Sequence, residues 1–141
     1  MFPVFAKARE KARQTQCMNN VRQSIVAIVM YQQDHNNQFP DKGTVWSDVT
    51  FPPSTLTCPT YGINKGNGYG YNASLSTRST MSPGMPEPWL IPVLADSKAP
   101  GNLLNTTSDI DPRHVGMATI GFADGHVSLQ ASSAVSNLPL P

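Results

Sequence analysis

The apolar positions Met18, Val21, Ile25, Ile28 and Val29 recur at helical spacing, with Cys17 and Ser24 at the edges of the stripe. No glycine or proline interrupts the chain between Ala6 and Gln33, so the spacing predicts one long helix from Phe2 to about His35. Pro3 falls in its first turn, where a missing N–H costs nothing. The run Ile25 to Tyr31 (IVAIVMY) is apolar all round a helical wheel, which predicts burial on more than one face. Its β-branched content would also suit a strand, but the length of the uninterrupted pattern favours the helix. Asp34-His35-Asn36-Asn37 is a cluster of turn formers and predicts the helix end.

Beyond Phe39 the pattern changes. Trp46 and Phe51 are expected to anchor a loop-rich stretch, and Cys58-Pro59 and Tyr69-Gly70-Tyr71-Asn72 read as short extended pieces. Ser76 to Pro88 reads as an exposed, mobile loop. The β pattern is clearest late, in the short apolar run Trp89–Leu94 and in Met117–Phe122 and His126–Gln130. Pro92 suggests that the first of these is an edge strand or carries a bulge. Asp124-Gly125 between the last two predicts a hairpin with a two-residue primed turn. Three late strands are thus expected to form a small antiparallel sheet covered by the helix stripe, an α+β fold. The chain is expected to be one domain, with residues 1–38 as helix and 39–141 as the loop-rich β part. The tail Ala131 to Pro141 is expected to be loose.

Composition narrows the function classes. The formal net charge is +1 and 13% of the 141 residues are charged, which excludes an electrostatic case for nucleic-acid binding. Half of the ten basic residues lie at or before Arg22, so the remainder is slightly acidic. Twelve of the thirteen prolines and all ten glycines follow Phe39. No apolar run is long enough to span a bilayer, and no signal-peptide pattern is visible. Two cysteines, Cys17 and Cys58, cannot make a four-sulfur site, and in an exported chain they are a possible disulfide.

The N-terminal segment Phe2-Pro3-Val4-Phe5 followed by Lys7, Arg9, Lys11 and Arg13 passes from apolar to basic, as a chain does on leaving a membrane. It resembles the segment that follows the hydrophobic anchor of bacterial type IV prepilins and type II secretion pseudopilins. Cys17-Met18-Asn19-Asn20 with Gln23, the turn YQQDHNNQFP, Cys58-Pro59, Tyr69–Asn72, Leu94-Ala95-Asp96-Ser97 and His114-x9-Asp124-Gly125 are similar, in order, to the prepilin-like family named for that last motif. The resemblance implies a pilin-like fold and an apolar anchor of about 20 residues ahead of Phe2. It implies a structural role rather than an enzymatic one. Subunits would sit in the inner membrane through the anchor, then join other pilin-like subunits in a periplasmic or cell-surface filament. Phe2, Pro3, Phe5, Lys7, Arg9, Lys11 and Arg13 would belong to the assembly helix.

Three pieces of candidate chemistry stand beside this reading. His114, Asp124 and His126 invite a metal-dependent hydrolase. However, an extended strand would separate His114 from Asp124 by up to ~30 Å. The expectation is therefore that His114 bonds a loop carbonyl and Asp124 shapes a turn. No cofactor is expected apart from calcium, for which Asp96, Asp109 and Asp111 are the candidate ligands. A surface-exposed binding module for a glycan or protein is the rival function. It would use the 76–88 loop with Trp89, Tyr69 and Tyr71.

Overall fold

The computed structural model describes residues 2–52, 55–61, 67–98 and 100–138. The side chains of Phe2 and Pro3, and positions 139–141 of the expected tail, lie outside the described residues. Helix α1 spans Phe2–Asp34, 33 residues and about 50 Å long. Its end matches the predicted turn. Asn36 and Asn37 take positive φ, which asparagine tolerates, and the Asn37 N–H closes on the Gln32 carbonyl at 2.8 Å. His35 stacks on Tyr31 at 3.8 Å between ring centroids. A short helix, α2 (Val45–Asp48), then brings Trp46 and Phe51 together, their rings 5.2 Å apart against the core.

The sheet has five strands in the order β3-β1-β2-β4-β5. They are β1 (Tyr69–Asn72), β2 (Pro92–Asp96), β3 (Leu103–Leu104), β4 (Met117–Phe122) and β5 (Val127–Ala131). The α+β, pilin-like layering expected from the sequence is what is found, but the sheet is larger than the late hairpin and is mixed. β3 runs parallel to β1. The chain leaves β2 and turns through Gly101 at φ +73°, so its return along the outer side of β1 shares β1's direction. Asn102 fastens the crossing by donating to the carbonyls of Asn67 and Tyr69 at 2.8 and 3.0 Å.

Trp89 and Leu90 belong to a single 3-10 turn instead of a strand, and β2 starts at Pro92. Pro92 is on no edge, since β2 lies between β1 and β4. It stands at the first strand position, beside a register shift between Pro92 and Leu94. The turn at Asp124-Gly125 also differs from expectation. Gly125 alone is at positive φ, +97°, and its N–H bonds the Phe122 carbonyl at 2.9 Å. Ala123-Asp124-Gly125 is thus a three-residue loop with glycine in the left-handed position. The tail is not wholly loose, because α3 (Ser132–Val135) buries Val135 against the sheet.

Helix α1 crosses β4, β5 and β2. Cys17, Val21, Ser24, Ile25 and Ile28 are buried along it, while Met18 and Val29 are half-buried. Close approach is possible because Gly121 of β4 faces the helix. A Cβ there would lie 2.7 Å from both Ile25 Cγ1 and Val21 Cγ1. The run from Ile25 to Tyr31 is not buried on every side, since Val26 and Met30 are 54% and 60% exposed. A single sheet covers only one stripe of a helix.

Candidate functional site

The helix and sheet meet in a buried polar cluster. Cys17 comes from α1, Cys58 from the Cys58-Pro59-Thr60 segment, Asp96 from the end of β2, and His114 from the approach to β4. All four side chains are fully buried, and their ligating atoms lie within 4.8 Å of one another. His114 Nε2 is 3.2 Å from Asp96 Oδ2 and 3.7 Å from Cys58 Sγ. His114 Nδ1 is 3.0 Å from Glu10 Oε1 and 3.3 Å from Thr60 Oγ1. Asp96 Oδ2 also accepts the Thr119 N–H at 2.8 Å. The two sulfurs are 2.7 Å apart.

The electrostatics follow from burial and neighbours. Burial by itself would lower the His114 pKa, but Asp96, Cys58 and Glu10 outweigh it and hold the imidazole up at about 10. Burial pushes Asp96 up, against the pull of His114 and the Thr119 N–H. The imidazole is thus held protonated near neutral pH, with Nδ1 facing Glu10 and Nε2 facing Asp96. Within the thiol pair, Cys17 holds Cys58 down at about 3 with help from His114, while Cys17 itself is pushed up by Cys58 and by burial. Two sulfurs, an imidazole and a carboxylate are a donor set that zinc accepts, with Glu10 placed as the outer partner of the histidine.

Arg113, next to His114, locks the surrounding loops. It donates to the carbonyls of Gly68 at 3.0 Å and Ser97 at 2.6 Å, pairs with Asp111 at 3.1 Å, and lies 4.3 Å over the Tyr61 ring.

These contacts redraw several sequence expectations. His114 does not bond a loop carbonyl through its ring; both nitrogens face carboxylates. Asp124 and His126 pair with each other at the exposed hairpin tip, where His126 stacks on Phe122 at 4.4 Å. Strand β4 stands between that tip and His114, so the three residues of the hydrolase reading do not form one site. The calcium candidates do not converge either. Asp96 is buried with His114. Asp109 caps its own turn by accepting from the N–H groups of Asn105 and Thr106, and Asp111 serves Arg113. Tyr69 and Tyr71 are core residues, which removes them from any binding surface.

Glu10 is the residue that sequence reasoning undervalued. It reads as a partial offset to the basic run and does pair with Arg13 at 3.5 Å, yet its other oxygen reaches His114, 104 positions away. The one acid in a basic stretch was the available signal.

A second surface belongs to α1 alone. Residues 4–9 are all exposed, with Val4 at 70% and Phe5 at 63%. Among the described residues no helix is long and apolar enough to cross a membrane.

Comparison with known proteins adds one match. Residues 6–94 match the model of a family described as a protein of unknown function, DUF1559. The chain belongs to that family. The matched stretch contains most of α1, both cysteines, β1 and the first half of β2, and it stops short of Asp96, His114 and the Asp124-Gly125 turn. No curated protein and no solved structure matches the chain.

Proposed function

We propose that this DUF1559 chain is a structural subunit of an extracytoplasmic pilus- or pseudopilus-like filament, assembled through α1. The observation that carries this reading is the solvent face of the helix. Val4 and Phe5 protrude at its start, and Val26 and Met30 form an apolar patch on the side away from the sheet. An apolar surface held open on a rigid 33-residue helix suits packing against other helices. The order of motifs from Phe2 to Asp124-Gly125 supports the same class. In this reading the anchor ahead of Phe2 holds the subunit in the inner membrane before assembly, and Lys7, Arg9, Lys11 and Arg13 meet lipid head groups or neighbouring helices.

The test uses the full-length gene product in its own cell. Met30→Arg should abolish filaments, or cysteine cross-links between neighbouring α1 helices, while leaving the melting temperature of the domain within a few degrees of wild type. Unchanged assembly in Val26→Arg and Met30→Arg, or a protein that never leaves the cytoplasm, would sink the reading. Trp89 and Leu90 stay half-exposed beside the 76–88 loop, so a tethered binding module is the second reading. Glycan-array binding that disappears in Trp89→Ala would favour it.

A further inference from the structure

We infer that Cys17 and Cys58 become a disulfide in the exported protein, fastening the 55–61 segment to α1 beside the His114 cluster. This rests on the extracytoplasmic part of the reading above, since a cytoplasm keeps thiols reduced.

The sulfurs are each other's nearest partners, 2.7 Å apart and without solvent contact. Left as thiols they are two buried S–H groups pressed against each other, each a weak donor and a weak acceptor. Bonding removes that crowding, and a disulfide is neutral and needs no hydrogen-bond partner.

Zinc is the competing occupant, and two features oppose it. Thiolates on one tetrahedral zinc stand about 3.7 Å apart, given Zn–S bonds of about 2.3 Å. In addition, His114 Nε2 lies 3.2 Å from Asp96 Oδ2, so zinc would have to displace the proton between them, whereas a disulfide leaves it in place.

The oxidant is a disulfide donor, either a small-molecule disulfide or the disulfide of a thiol oxidase. Cys58 attacks one donor sulfur as thiolate, and the other donor sulfur leaves as thiolate. Cys17 then gives up its proton, attacks the Cys58 sulfur of the mixed disulfide, and releases the second donor thiolate. The two protein thiols lose two electrons and two protons, and the donor ends as two thiols. Because both sulfurs are buried, the exchange must take place before the 55–61 segment docks. Once docked, the bond is shielded from external reductant.

The experiment is refolding of the purified chain in a glutathione and glutathione-disulfide buffer containing zinc. Intact mass, thiol labelling under denaturing conditions and metal analysis are then read on the product. The expected product is a monomer lighter by two hydrogens, with no labelled thiol and no stoichiometric zinc. Strong reductant acting on the native protein should work slowly, and full reduction should lower the melting temperature by roughly 10 °C, as for loss of a cross-link over 41 positions. Two free thiols after refolding, an intermolecular disulfide, or one zinc per chain would overturn the inference. These results do not depend on filament assembly, so the two readings can fail separately.

Discussion

Glu10 Oε1 lies 3.0 Å from His114 Nδ1, joining the first turns of the helix to the start of a strand 104 positions later. The pair is nearly dry, with His114 fully buried and the Glu10 side chain 15% exposed. It is the polar counterpart of the apolar helix-to-sheet contact. Removing the carboxylate leaves a buried imidazolium with one acidic partner in place of two, and Thr60 alone on Nδ1. Glu10→Ala should destabilise the domain by about 1–3 kcal/mol. Glu10→Gln should cost less, because its carbonyl oxygen still accepts from Nδ1. Urea midpoints for the two variants measure the difference, and equal midpoints would mean that the contact contributes shape alone.

The same contact makes stability depend on pH in a definite direction. Folding raises the His114 pKa from 6.5 to about 10. A raised folded pKa contributes stability that is fully present below about pH 6.5 and lost as pH climbs toward 10. Glu10, Asp96, Cys58 and Cys17 are the ionisable groups gathered around it. Denaturation midpoints should therefore fall as pH climbs above about 6.5; in oxidised protein Asp96 and Glu10 hold the imidazole up without Cys58, so the window is narrower. His114→Gln should be less stable at pH 6 and should flatten the slope. A wild-type midpoint that holds steady from pH 6 to 10 would show that the imidazole is not charged in the fold.

Gly121 is small because Ile25 and Val21 occupy the space where a side chain would go. Its backbone is not at positive φ, so Gly121→Ala tests contact alone. A Cβ at 2.7 Å from both neighbours must push α1 off β4, which should cost about 1–3 kcal/mol. Pairing it with Ile25→Val should cost less than the sum of the single changes. Strict additivity in that cycle would place the strain elsewhere.

Gly125 poses the opposite problem, with open space around a missing Cβ but φ at +97°. A β-branched residue adopts that conformation poorly, so Gly125→Val should cost about 1–3 kcal/mol through backbone strain. Asp124 accepts the His126 N–H at 3.1 Å, a bond that asparagine also makes, so Asp124→Asn should be mild. Thermal melts of the pair check this, and a more severe Asp124→Asn would reverse the assignment of roles.

Local signals were enough for the long helix and the late hairpin. The gap in glycine and proline across α1, the asparagines at its end, and the Asp-Gly turn each act within a few residues, so the sequence by itself determined a long helix followed by a late hairpin. It determined too that Val21, Ile25 and Ile28 would be covered. Tertiary structure decided what lies outside that range. β1 became a central strand because its neighbours come from residues 92–96 and 103–104, and no periodicity within Tyr69–Asn72 encodes those partners. Val26 and Met30 stayed exposed because, among the described residues, one sheet covers a single stripe of a helical run that is apolar all round. Glu10, Cys17, Cys58, Asp96 and His114 form one cluster for the same reason. Four of them sit in separate short motifs, but no local spacing says that those motifs meet, and they do so only where the chain's first helix is laid across the sheet.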